Sequence, residues 1–133
     1  MSQENVEIAK ALTEALNRLD VDAWAELSTA DFEWFPVLGG TVEGKSFRGP
    51  EGIEDYFGEL RDTWEEFRVI IDEFRDLGDS VLALGRLEAR GRGSGVPVAL
   101  PLSVLGDYRE GRIWRSRAFS DFGEALRAAG VEE

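Results

Sequence analysis

The chain contains no cysteine and no histidine among its 133 residues. The first absence removes disulfides, thiol nucleophiles, iron–sulfur clusters and cysteine-type zinc sites. The second removes Ser-His-Asp and Cys-His chemistry, histidine-ligated metals and a proximal-histidine haem. Acid–base work is left to Asp, Glu, Tyr, Lys or Arg, or to water. Positive charge is also scarce: 15 basic side chains against 27 acidic ones give a net charge of −12, and only Lys10 and Lys45 are lysines. A phosphate backbone calls for a basic surface. The nearest approach to one, Arg86, Arg90 and Arg92, is interrupted by Glu88 and reads as a solvated strand edge, so no nucleic-acid partner is expected. There is no apolar run of membrane-spanning length, and the polar start MSQENVEIAK has no signal-peptide character. A soluble, cytoplasmic protein without a membrane partner is the expectation. GRGSG at 91–95 lacks the Lys-Ser/Thr ending and the following helix of a phosphate loop. No metal and no cofactor are expected.

What is present is ordinary globular composition, 43% hydrophobic and 32% charged. The length suits one domain, 1–133, with a real core. Val6, Ile8, Ala9, Leu12, Leu16 and Leu19 recur at helical spacing. AWAEL at 23–27 reads as a second, short helix capped by Asp22. DFEWFP at 31–36 is the first strand signal, with Phe32 and Trp34 on one face. Gly39, Gly40 and Gly44 make Leu38–Arg48 a loop or loose hairpin. Gly49-Pro50 opens a third helix whose buried stripe is Ile53, Tyr56, Phe57, Leu60 and Trp64. From Phe67 the period falls to two. Phe67–Leu77, Ser80–Arg92, Val96–Arg109 and Arg112–Phe122 read as four long antiparallel strands, turning at Gly78-Asp79, Ser94-Gly95 and Glu110-Gly111. A tail helix follows from Asp121, with Phe122, Ala125, Leu126 and Ala129 as its stripe and Gly130 as its stop.

Two-residue turns at Ser94-Gly95 and Glu110-Gly111 fix a register. They put Val81, Ala83, Gly85, Leu87, Leu102, Val104, Gly106, Tyr108 and Ile113 on one face, together with Arg115, Arg117, Phe119 and Asp121. A three-residue loop or a bulge flips part of this set. Gly85 and Gly106 inside strands mark either a sharp bend or room for a ligand. The opposite face has an apolar half, Leu82, Leu84, Leu105 and Trp114, and a homodimer through that sheet face is the economical expectation.

The element order, with DFEWFP, FRGPEGIEDYF (47–57), DLGDSVLALGR (76–86) and REGRIWRSRAFSDFGEALRAAGV (109–131), resembles the SnoaL-like polyketide cyclase family within the nuclear transport factor 2-like superfamily. The likeness runs over nearly the whole chain. It implies an α+β, cone-shaped fold, a curved antiparallel sheet wrapped on N-terminal helices. Catalytic relatives hold a small hydrophobic molecule in a deep apolar cone and use one carboxylate as base. SnoaL-type cyclases use an Asp for cofactor-free aldol ring closure. Ketosteroid isomerases add a Tyr and a protonated acid as oxyanion donors. Limonene epoxide hydrolases use an Asp-Arg-Asp set, which this chain does not reproduce, because Ala118 follows Arg117. Scytalone dehydratase needs a histidine. Other relatives bind without chemistry, so fold alone does not decide activity.

The candidate catalytic residues are Asp121 as base, with Arg117 or Tyr108 as oxyanion donor. This is cyclase or isomerase chemistry by proton abstraction next to a carbonyl. Each has a structural alternative. Asp121, three residues before Glu124, is also a capping box for the tail helix. Arg115 and Arg117 either bind a ligand oxyanion or pair with an acidic side chain. Trp34, Tyr56, Leu60, Trp64, Leu87, Leu102, Val104, Gly106, Arg115 and Phe119 are the expected ligand-binding wall, though aromatic stripes also build cores. Glu33 and Asp107 are lower-ranked bases because alternation turns both away from that wall. Two functions stay open: an enzyme acting on a small cyclic or aromatic compound, or a non-catalytic ligand-binding or dimeric module, including a scaffold with an engineered pocket. A cone without a reachable carboxylate distinguishes the second.

Overall fold

A computed structural model describes residues 2–36 and 46–131. The elements run α1 (Ser2–Arg18), α2 (Val21–Glu26), β1 (Ser28–Phe35), β2 (Phe47–Arg48), α3 (Gly49–Thr63), β3 (Trp64–Asp76), β4 (Ser80–Gly91), β5 (Pro97–Arg109), β6 (Arg112–Phe119) and α4 (Phe122–Ala129). The expected loop over Leu38–Arg48 falls mostly outside the described residues, and its end, Phe47-Arg48, is a short strand antiparallel to β1.

α1 buries Val6, Ala9, Leu12 and Leu16 of the expected stripe together with Ala15, while Ile8 and Leu19 are half-buried. It closes with Leu19 in the left-handed region (φ 54°), while the Asp20 and Leu19 N–H groups donate to the carbonyls of Ala15 and Leu16 at 2.9 and 3.0 Å. Asp20, not Asp22, then caps α2. Its carboxylate accepts from the Ala23 N–H at 3.0 Å, and its backbone is extended, as a cap requires. Asp22 already lies inside the first turn. α3 begins with Pro50 in its first turn and buries Ile53, Tyr56, Phe57 and Leu60.

The strands form one sheet in the order β2-β1-β6-β5-β4-β3. β3 to β6 are a meander of hairpins, and β1 joins parallel to β6, with Trp34 beside Ser116. α1, α2 and α3 cover the inner face, where the larger core forms around Trp24, Phe32, Phe57 and Leu60. β3 is an edge strand. The Asn17 side-chain amide pairs with it as another strand would, donating to Val69 O at 2.9 Å and accepting from Val69 N–H at 2.8 Å.

The register departs from expectation in two instructive ways. The β4–β5 connection is longer than two residues: Arg90 pairs with Pro97, Leu87 with Leu100 and Gly85 with Leu102. Each expected partner is displaced by two, and a displacement of two leaves every side chain on its own face. The β5–β6 hairpin starts as expected, with Arg109 opposite Arg112 and Tyr108 opposite Ile113. A bulge between Asp107 and Tyr108 then shifts the pairing by one, so Gly106 faces Ser116 and Val104 faces Ala118. A shift of one turns the rest of β6 over. Ser116 and Ala118 look into the cone, and Arg115, Arg117 and Phe119 stand on the outer face.

α4 covers the apolar half of that outer face. Ala125 and Leu126 pack with Leu82 and Leu105, flanked by Leu84 and Phe119. The tail helix thus occupies the Leu82, Leu84 and Leu105 part of the stripe expected to carry a homodimer, while Trp114 lies against the guanidinium groups of Arg109 and Arg115. Among the described residues no helix is long and apolar enough to cross a membrane.

Candidate functional site

The inner face encloses a cavity of about 70 Å³. Each wall comes from an element whose pattern demanded burial. α1 supplies Leu12, Thr13 and Leu16, α2 supplies Trp24, β1 Trp34 and α3 Tyr56; the sheet adds Leu87, Leu102, Val104, Tyr108 and Ile113. Trp34 and Tyr56 meet edge to face at 5.6 Å, and Trp24 meets Phe32 and Phe57 in the same manner.

Six of the ten expected wall residues line this chamber, Trp34, Tyr56, Leu87, Leu102, Val104 and Gly106, and the catalytic candidate Tyr108 joins them. Leu60 and Trp64 do not. They border an open groove with Arg61, Arg68 and Arg92 at the other side of α3. Arg115 and Phe119, turned over by the bulge, are outside as well. Trp24, Phe67, Phe74, Ser116 and Ala118 are wall residues that sequence reasoning missed. The last two were hidden by the bulge, which makes the step between the inward positions Ile113 and Ser116 odd.

The two strand glycines do not enlarge the chamber. A Cβ on Gly85 would overlap the Ile70 carbonyl oxygen and lie 2.8 Å from Ile71 Cα. This is the close approach beside the irregularity in β3 between Ile71 and Glu73. Gly106 is the seat of Tyr108, since a Cβ there would meet the tyrosine ring at 3.2 Å and its hydroxyl at 3.3 Å.

Of the three candidate catalytic residues only Tyr108 lines the chamber. Asp121 is exposed, and its carboxylate accepts from the Gly123 and Glu124 N–H groups at 2.7 and 3.2 Å. It is the cap of α4. Arg117 lies 3.6 Å from Asp107 on the outer face. Desolvation and the neighbouring Arg115 lower its pKa, which Asp107 partly restores. Asp107 is buried, and its carboxylate also takes the Arg115 Nε–H and the Ser80 hydroxyl, each at 2.7 Å. The bulge has a physical reason here. Unshifted, β6 would put two guanidinium groups into an apolar chamber without a counter-ion, a heavily penalised arrangement. Shifted by one, it brings both to Asp107. Glu33 is outward too, accepting from the Ser46 hydroxyl at 2.7 Å and pairing with Arg48. These contacts, Ser46 foremost, hold its carboxyl below the usual range.

Among the described residues no Asp, Glu, Lys or Arg lines the chamber. Its polar groups are the hydroxyls of Thr13, Tyr56, Tyr108 and Ser116 and the indoles of Trp24 and Trp34. Burial pushes both phenols well above the ordinary tyrosine pKa, so both stay protonated. Among the described residues the Trp24 and Trp34 Nε1–H groups have no acceptor in hydrogen-bond geometry. The Trp34 indole is nevertheless close enough to the Tyr56 hydroxyl to offset part of its upward shift. No group of three or more His, Cys, Asp or Glu among the described residues is placed to hold a metal ion.

Comparison with known proteins gives one match that decides the family. The SnoaL-like domain model fits residues 9–116, most of the chain. The chain belongs to the SnoaL-like domain family. No curated protein matches it significantly. Solved structures show the fold of this SnoaL-like protein. It is similar to a putative SnoaL-like polyketide cyclase from Jannaschia (TM-score 0.77, 21% identity, 99% of this chain and 95% of that one). It is similar to TerC co-crystallised with polyporic acid (0.77, 21%, 96% and 98%). It is also similar to a hypothetical protein with a ketosteroid isomerase-like fold from Catenulispora acidiphila in complex with trimethylamine (0.75, 21%, 95% and 94%). The nuclear transport factor 2-like, α+β architecture is thereby established, and at these identities the likeness extends to the fold alone.

Proposed function

We propose that this SnoaL-like protein binds a small, single-ring apolar molecule inside its cone and does not work by carboxylate chemistry. The observation that carries this is the chamber's wall, mostly aromatic and aliphatic, to which no described residue contributes a carboxylate or a cation. A proton-abstracting base has to reach the substrate. Asp121 is engaged as a helix cap on the surface, and Asp107 and Glu33 face outward, so the binding reading is better supported than the cyclase or isomerase reading. The cavity of about 70 Å³ is roughly half the ~150 Å³ that admits benzene in an engineered apolar cavity. One ring, with some yielding of the walls, is therefore the size limit. Proteins of the same fold have been crystallised with small molecules, TerC with polyporic acid and the Catenulispora protein with trimethylamine, which supports a ligand-binding role.

The test is a titration of the protein with single-ring compounds such as toluene, followed by the fluorescence of Trp24 and Trp34, with Ala83→Leu as the filled-chamber control. Ala83 lines the cavity, so the added side chain should abolish binding while the thermal transition stays cooperative. Toluene binding equally well to Ala83→Leu would place the site elsewhere. Turnover of any bound carbonyl compound that disappears in Asp121→Asn, with stability kept, would restore the catalytic reading.

A further inference from the structure

The chamber is not the molecule's largest hollow. At the tip of the β3-β4-β5 hairpins, beside the end of α3, lies an open groove of about 820 Å³. Its floor is a row of residues paired across the three strands, Phe67 with Ala89 and Ala89 with Val98. The next row on the same face, Val69 and Leu87, already belongs to the chamber. Such rows are two residues apart, roughly 7 Å. Among the described residues Phe67 alone lines both spaces. It is half-buried, and its neighbour across the ladder, Ala89, offers only a methyl group to hold it. The strand beneath it is fixed, because the Asn17 amide takes both the N–H and the carbonyl of Val69. The partition between the two spaces is therefore a side chain on an immobile strand. A side chain changes rotamer far faster than a strand moves. The rest of the groove is divided in character: Leu19, Leu60 and Trp64 are apolar, and Arg61, Glu65 and Arg92 put charge on its rim. Arg92 also fixes that rim, donating to the carbonyls of Arg61 and Trp64 at 3.1 and 3.0 Å.

From this we infer that chamber and groove are two compartments of one binding site divided by Phe67, and that the ligand is an arylalkyl amphiphile, one ring on an unbranched chain with a polar end. This rests on the binding reading above and adds the rest of the molecule. The ring fills the dry chamber. The chain passes Phe67, lies along Ala89 and Val98, and leaves its polar end in water at the charged rim. A bare ring uses the chamber alone and forgoes the burial that the groove offers. A chain branched beside the ring would have to displace Phe67 altogether. No bond is made or broken. Phe67 is a specificity residue, and it acts on the shape of the substituent rather than on the ring.

The experiment compares toluene with 4-phenylbutan-1-ol by calorimetry on wild type, Val98→Lys, Ala83→Leu and Phe67→Ala. Each methylene taken out of water is worth about fourfold in affinity, so the alcohol should bind wild type about tenfold or more tightly than toluene. Val98→Lys puts a charge on the groove floor; it should remove most of that gain and leave toluene within about twofold. Ala83→Leu fills the chamber and should abolish the binding of both. In Phe67→Ala, quenching of Trp24 and Trp34 followed by stopped flow should show toluene associating about tenfold faster, whereas loss of a mere wall contact speeds dissociation only. Equal affinity of the two compounds for wild type, or an equal loss of both in Val98→Lys, overturns the two-compartment inference and leaves the chamber as a site for bare rings. So does 4-phenylbutan-1-ol that binds Ala83→Leu as tightly as wild type, since the groove would then act alone. An unchanged association rate in Phe67→Ala overturns the partition. If neither compound binds wild type, the binding reading itself fails and takes this inference with it.

Discussion

The bulge in β6, where Trp114 is the extra residue between Ile113 and Arg115, is explained by charge, and Asp107→Asn tests that explanation. Asp107 holds the Arg115 Nε–H and the Ser80 hydroxyl at 2.7 Å and lies 3.6 Å from Arg117. The amide keeps the shape and can still serve Ser80, but it cancels the charge that both guanidinium groups share. Stripping one partner from a fully buried pair is worth ~3–5 kcal/mol. Here the arginine side chains retain 35% and 26% of their exposure, so water recovers part of the loss and about 2 kcal/mol is the working figure. For a chain of this length each kcal/mol moves the melting temperature by roughly 3–5 °C, so a fall of about 6–10 °C is expected. Urea unfolding should show the same loss as a lower midpoint with an unchanged slope. Glu73→Gln, which breaks the more exposed pair with Arg75, is the control and should shift stability by less than about 1 kcal/mol. A loss for Asp107→Asn no larger than for Glu73→Gln would refute the charge argument for the bulge.

Other outcomes follow from single features. The only tyrosines, Tyr56 and Tyr108, have raised pKa values, so the stability they contribute is complete below the ordinary value of about 10 and lost as pH rises beyond it. Phenolate absorbance should stay absent about one unit above that value until the protein unfolds; early ionisation of either would contradict their burial. Asp121→Ala should cost about 1 kcal/mol through the lost cap of α4, with ligand affinity unchanged by calorimetry. Gly58, in the middle of α3 with open space where a Cβ would go, should gain ~0.5–1 kcal/mol on change to Ala. Gly85→Ala should lose about 3 kcal/mol or fail to fold, because the obstruction is backbone; a neutral result in a denaturation curve would show that the β3 irregularity can relax.

How much was legible depended on parity. The elements themselves were readable from their periods and caps, and the inward set of β4 and β5 was right even though the turn between them was judged too short. An error of two residues cannot change a face. The same reasoning failed on β6 because its error was one residue, and that sent Arg115, Arg117 and Phe119 to the wrong side and hid Ser116 and Ala118. What decides the bulge is the energy of two guanidinium groups in an apolar chamber, a tertiary quantity that no hairpin rule contains. The role of Asp121 was readable as a cap or a base, and only its exposure and its two N–H contacts separate these. The parallel pairing of β1 with β6 has no local signature at all.

The Asn17 amide on Val69 has a bearing on the protein's solubility. β3 ends the sheet and carries Val69-Ile70-Ile71, a β-branched run of the kind that recruits further strands. One side chain from α1 occupies the hydrogen-bonding groups at the start of that run, and Arg68 and Asp72 flank it as charged gatekeepers. The first helix thus serves as a cover strip for a sticky border as well as a wall of the cone. Fraying of its last turn would bare that border without unfolding the sheet. Resistance to aggregation is therefore tied to the Asn17–Val69 contact between the last turn of α1 and β3.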